Sequence, residues 1–138
     1  MMAESVDLPL LNLNARTLGA LGRTYEEKIL GQDHATTTNP RLVYEVPAGK
    51  RAIIYTVNVA NSDLSAREWS LYIDASGGTT YDKTTKVIAK ANIIAEETEI
   101  ITNANYAVGP GIKVAWDADL VDELTITLFG VEIEDIDL

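Results

Sequence analysis

Residues 43–63 read VYEVPAGKRAIIYTVNVANSD, two alternating apolar runs parted by Pro47-Ala48-Gly49-Lys50 and closed by Asn61-Ser62-Asp63. In the second run Ile53, Tyr55, Val57 and Val59 fall on one side while Thr56 and Asn58 fall on the other. That period of two belongs to a half-buried strand. The run 41–46 alternates Leu42, Tyr44 and Val46 against Val43 and Glu45 in the same way. Between the runs, proline presets φ and glycine accepts a positive φ. The pair reads as a hairpin.

Working outward, the alternation returns at 67–74, with Trp69, Leu71 and Ile73 on one face, and at 112–117, with Ile112, Val114 and Trp116. Weaker strands are predicted at 86–91 and 98–103, and Val108-Gly109-Pro110-Gly111 turns the chain into the Trp116 strand. Trp69 and Trp116 share faces with aliphatics and are expected in the core. The last strand has Leu124, Ile126 and Leu128 in phase, but Val131 and Ile133 follow Phe129-Gly130 out of phase, which predicts a β-bulge. Seven or eight strands at such spacing give an all-β fold, an antiparallel β-sandwich or jelly roll, over 41–138.

Residues 1–40 read as an N-terminal arm and linker. Leu18, Leu21, Tyr25 and Ile29 recur at helical spacing and leave room for a short helix. Gly19 and Gly22 oppose it, together costing about 2 kcal/mol of helix propensity. From Gly31 to Pro40 the chain is polar and turn-rich.

Composition bounds the function. The 138 residues are 46% hydrophobic and 23% charged with a net charge of −10, which repels nucleic-acid backbones and anionic lipid surfaces. The apolar runs are too short to span a bilayer, and the start of the sequence predicts no signal peptide. There is no cysteine for disulfides, thiolate catalysis or thiolate metal sites. After Lys113 come Asp117, Asp119, Asp122, Glu123, Glu132, Glu134, Asp135 and Asp137 with no Lys or Arg, a solvated acidic edge or a surface for a basic partner.

Catalytic signals are thin. The single histidine, His34, falls in the predicted linker, so a Ser-His-Asp triad has no base held by the fold. One histidine without cysteine does not make a zinc site. Asp117, Asp119, Asp122 and Glu123 offer oxygen ligands to calcium but lack the EF-hand spacing, so a solvated turn is expected. The run 76–80, SGGTT, reads as a flexible loop, because no Lys and no helix follow it. Tyr55, Trp69, Tyr72 and Trp116 could stack on sugars if exposed. No catalytic, cofactor or metal residue is assigned. The candidate edge 98–103 has no dense Lys or Pro cover, which points to burial against a neighbour and a homo-oligomer.

The succession VYEVPAGKRAIIYTVNVANSD, WSLYID, AEETEI, VGPGIKV and TITLFGVEIED resembles a family of small β-sandwich proteins of tailed-bacteriophage virions. The likeness covers roughly 41–134 and lies in Val46 to Lys50, Asn61, Glu97 to Glu99, Gly109 to Gly111 and Gly130 to Glu132. It departs at Ile112, where an Asp after the glycine is usual. The resemblance implies a non-enzymatic virion structural protein made in the cytoplasm of a bacterial host. A capsid decoration (cement) protein bound to the major capsid protein or other virion subunits, as a homo-oligomer and by best guess a trimer, comes first. A tail, fibre or neck component, with host glycan as a ligand, is the alternative. The residues expected to bind the partner are Leu8, Leu10, Leu11, Leu13, Leu18, Leu21 and Tyr25.

Overall fold

The computed structural model describes residues 25–134. Among them are nine strands and no helix: β1 Tyr25–His34, β2 Arg41–Glu45, β3 Lys50–Asn61, β4 Arg67–Ile73, β5 Lys86–Ile93, β6 Thr98–Ile101, β7 Tyr106–Val108, β8 Lys113–Ala118 and β9 Leu124–Glu134. All pairings are antiparallel. One sheet runs β1-β9-β3-β6, with β7 also beside β3, and the other runs β2-β8-β4-β5. From β1 to β4, and again from β5 onward, the chain changes sheet at almost every connection. Each sheet thereby takes strands from both ends of the described chain, the two interlocked Greek keys of a jelly roll.

The inner faces follow a period of two, except that β3 slips at Tyr55, so that Ala52 and Ile54, not Ile53 and Tyr55, share the interior with Val57 and Val59. Ala52, Ile54, Val57 and Val59 of β3 and Leu124, Ile126 and Leu128 of β9 meet Trp69, Leu71, Val114 and Trp116 of the facing sheet, all fully or almost fully buried. Both tryptophans are thus core residues. Their indole N–H groups still need acceptors, because an unpaired buried donor is costly. Trp116 Nε1 donates to Asp33 at 2.8 Å and Trp69 Nε1 to Glu99 at 3.1 Å.

The structure corrects four expectations. The runs 43–46 and 51–60 are not a hairpin, since β2 lies in the four-stranded sheet and β3 in the other. The Pro47-Ala48-Gly49 turn, with Gly49 at φ 78, carries the chain across the sandwich, and Val46 bonds to 111–112 instead of to β3. Nor is there a helix at Tyr25 and Ile29. They belong to β1, which pairs with β9 along its length and brings His34 to a sheet end where a linker was expected.

The irregularity at Phe129-Gly130 is present, but β9 itself carries no extra residue. Leu30 of β1 and Tyr55 of β3 are the residues left without a partner on either side of it. β9 therefore keeps its alternation, and Glu132, not Val131 or Ile133, faces the interior beside Ala52. Finally, the outer edge of the five-stranded sheet does contain the 98–101 strand, but shares it with β7, set end to end along β3.

Candidate functional site

Inside the sandwich, Glu132 is the buried carboxylate that the sequence does not announce. Its Oε2 accepts a 2.6 Å hydrogen bond from the Tyr44 hydroxyl across the sheets. Its Oε1 lies 2.8 Å from Lys28 Nζ and 3.6 Å from Lys50 Nζ, ion-pair distances without hydrogen-bond alignment. Burial pushes the pKa of this carboxyl up, and Lys28, Tyr44 and Lys50 together outweigh it, so it ionises below its ordinary range. The same burial and the adjacent carboxylate push the Tyr44 hydroxyl well up. The group is an ion-pair cluster held inside the sandwich.

Asp33 serves a similar end. It accepts two bonds from Arg41, at 2.8 and 3.0 Å, besides that from Trp116. Burial raises its carboxyl, but these donors hold it below the usual range. His34 next to it bonds to Thr125 Oγ1 at 2.8 Å and lies 3.9 Å from Asp122, with no serine in that arrangement to act as nucleophile. Among the described residues no group of three or more His, Asp or Glu side chains is placed to hold a metal ion. No helix among them is long and apolar enough to cross a membrane.

The loop at 76–80 is more ordered than a flexible loop. The buried Asp74 takes the amides of Ser76 and Thr80 and the Ser76 hydroxyl, and these bonds lower its carboxyl. They are internal to the turn and leave no cradle of free amides for a phosphate. A cleft of about 270 Å³ on the four-stranded sheet is lined by Glu68, Ser70, Lys86, Lys90, Asp117 and Asp119, among others. Asp117 in it already accepts from the Tyr72 hydroxyl, and burial with that bond lifts Tyr72 to about 12. Tyr72 is buried, and with Trp69 and Trp116 it offers no exposed ring face for a sugar.

What the fold does assemble is a surface. Three loops, 62–66, 94–97 and 119–123, meet at one end of the sandwich and are bonded to one another and to the strands. Ser62 N donates to Glu123 O at 2.9 Å, Glu96 N to Asp63 O at 3.0 Å and Asp122 N to Ala35 O at 2.7 Å. Asn61 anchors the group through its amide to the carbonyls of Ser65, Ile93 and Ile94. These loops leave Leu64 80% and Ile94 65% exposed, with Val121 also outward, and carry Asp63, Glu96, Glu97, Asp119, Asp122 and Glu123 without a Lys or Arg. Glu96 and Asp122 hold positive φ. Three outward apolar side chains on mutually bonded loops, set among carboxylates, make a surface suited to binding a partner.

Of the residues expected to bind the partner, Leu8, Leu10, Leu11, Leu13, Leu18 and Leu21 lie outside the described residues, and Tyr25 is the first residue of β1. The loop-end trio was missed in sequence because single apolar residues among polar ones read as ordinary turns.

No protein-family model matches this chain, and no curated protein matches it. Solved structures give distant likenesses. A chain of the T13 particle of the virus IBDV is 11% identical, with a TM-score of 0.44, over 83% of this chain, which spans 36% of that one. A chain of the cyanophage Pam1 capsid asymmetric unit is 15% identical, with a TM-score of 0.39, over 94% of this chain and 93% of that one. The tobacco streak virus coat protein is 9% identical, with a TM-score of 0.40, over 93% and 90% of the two chains. Likeness at this distance has no bearing on what the chain does.

Proposed function

We propose that this is a non-enzymatic structural protein of a virion, and specifically a capsid decoration protein of a tailed bacteriophage. The observation that carries the reading is the loop end of the jelly roll, where Leu64, Ile94 and Val121 stand on mutually bonded loops within a carboxylate rim. A preorganised apolar surface of this kind suits permanent attachment, because little further ordering is required when it docks. Its rim selects a partner surface rich in Lys or Arg. The sequence resemblance to phage virion sandwiches points the same way. In this reading the arm residues Leu8, Leu10, Leu11, Leu13, Leu18 and Leu21 add a second attachment to the major capsid protein or a neighbouring subunit, and the protein works as a homo-oligomer, a trimer.

The test is stoichiometry in purified virions that contain the protein, measured by band intensity against the major capsid protein. Hundreds of copies per particle are expected. Tens or fewer would favour a tail, fibre or neck component, and absence from the particle would overturn the virion reading. The Leu64→Ser, Ile94→Ser double variant should fold normally and lose binding to particles stripped of the protein.

A further inference from the structure

The outer face of the five-stranded sheet is divided. Toward the His34 end it is polar, with Gln32 bonded to Thr127 at 2.9 Å and His34 to Thr125. Toward the Tyr25 end it is mainly apolar: Phe129 of β9 pairs with Ile29 of β1 and Val131 with Ile53 of β3, next to Ile133, while Glu27 and Arg51 stand at the rim beside Val131 and Ile133. Ile29 is 55% and Phe129 36% exposed, yet Val131, the next outward residue of β9, is fully buried although it stands outside the core cluster. A shallow cleft of about 470 Å³ opens on this half, lined by Ile29, Tyr55, Thr56 and Phe129 with Glu27 and Lys28. A solvated sheet face alternates to polar residues, and on this half the central strand β9 does not.

We infer that this apolar half-face is the docking site of the chain's own leucine segment, residues 8–13. The chain enters the sheet at Tyr25, opposite Ile133, so the arm begins at the apolar end of that face. The eleven residues 14–24 extend up to about 36 Å, at some 3.3 Å each. The distance back from Ile133 to Phe129 along the strand is about 14 Å. The sequence places glycine, the residue most tolerant of a turn, at 19 and 22 on the way. Leu8, Leu10, Leu11 and Leu13 are the apolar complement that Ile29, Phe129 and their neighbours lack, and a tether this short holds them at an effective concentration near millimolar. At micromolar protein the chain's own arm therefore outcompetes the arm of a second copy. Docked here, these leucines are withdrawn from the second attachment proposed above, while the loop-end surface that carries the capsid reading is untouched, so either can fail alone.

The chain has no native cysteine, so a disulfide trap reports directly. The full-length variant Leu10→Cys, Ile29→Cys, oxidised at low micromolar concentration, should close an intramolecular bond, seen as a faster band on a non-reducing gel. The control Leu10→Cys, Ser65→Cys, placed on the loop end opposite the arm's entry, should close at least about tenfold more slowly, because the docked arm is held away from that site. A covalent dimer of the first variant would assign the face to a second copy and overturn the inference. Equal closure by the two variants would overturn it as well. As a second readout that needs no cysteine, Ile29→Ser should speed tryptic cleavage at Arg16 or Arg23 by several-fold while the melting curve keeps its shape. An unchanged cleavage rate would likewise count against docking.

Discussion

Glu132 shows how a single side chain converts a strand alternation into a pH dependence. Its partners Tyr44, Lys28 and Lys50 hold the folded carboxyl below its ordinary value of 4.5. The unfolded chain therefore takes up a proton first as acid is added. Stability from this group is whole above that value and fades as pH falls through the folded one. Glu132→Gln should lose about 1–3 kcal/mol at neutral pH, as for a buried group that loses its charge partner, and should also melt less steeply with acid than the native chain. Melting curves from pH 7 to pH 3 test this, and parallel acid limbs would refute it. Tyr72 acts at the opposite limit. Burial, then its bond to Asp117, raises it to about 12, so its contribution is complete below its ordinary value of 10 and is lost between the two. Tyr72→Phe should leave denaturant midpoints at pH 8 nearly in place, apart from one lost hydrogen bond, and reduce the fall between pH 8 and pH 11.

At the scale of elements, strand packing leaves no room for a methyl group at two glycines. A Cβ on Gly130 would lie 2.0 Å from the Ile53 carbonyl oxygen, and one on Gly31 would lie 2.2 Å from that of Val43. Gly49 has open space and needs glycine for its positive φ alone. Gly130→Ala should accordingly cost about 3 kcal/mol or more, and Gly49→Ala about 1–2 kcal/mol. Equal urea midpoints for the two variants would contradict this account. The facing of β4 and β8, whose inward residues are all apolar, was legible from period two; β3 was legible as a strand, but its slip at Tyr55 turns Ala52 and Ile54 inward in place of Ile53 and Tyr55. β1 was not, because its inward positions are Lys28, Leu30, Gly31 and Asp33. These serve Glu132, the core, the Val43 backbone and the Trp116 indole. Local alternation there is hidden by tertiary duties, and the unpaired Leu30 shifts the phase as well. The crossing at Pro47 was equally hidden, since turn residues permit a bend without stating which sheet the next strand joins. Among candidate sites, the arm leucines came from the sequence, while the loop-end surface needed three distant loops to be brought together.

For the whole molecule, β1 decides where the folded unit begins. A chain starting at Pro40 would lose Leu30 from the core, worth about 1.5–3 kcal/mol, and would leave the Trp116 indole without its acceptor, at about 1–3 kcal/mol. Arg41 would lose Asp33, and Glu132 would keep Lys50 but lose Lys28. The backbone of β9 would also become an open edge along the register from Thr125 to Ile133, with each lost ladder bond costing about 0.5–1.5 kcal/mol. The sum rivals the 5–15 kcal/mol that holds a domain of this size together. A chain starting at Pro40 should therefore show no cooperative melt. One starting at Thr24 keeps β1 and should retain the β-rich circular dichroism and a cooperative transition, lowered by whatever the arm contributes. If the shorter chain melts cooperatively with the same spectrum, β1 is an accessory to the sandwich and not one of its structural strands.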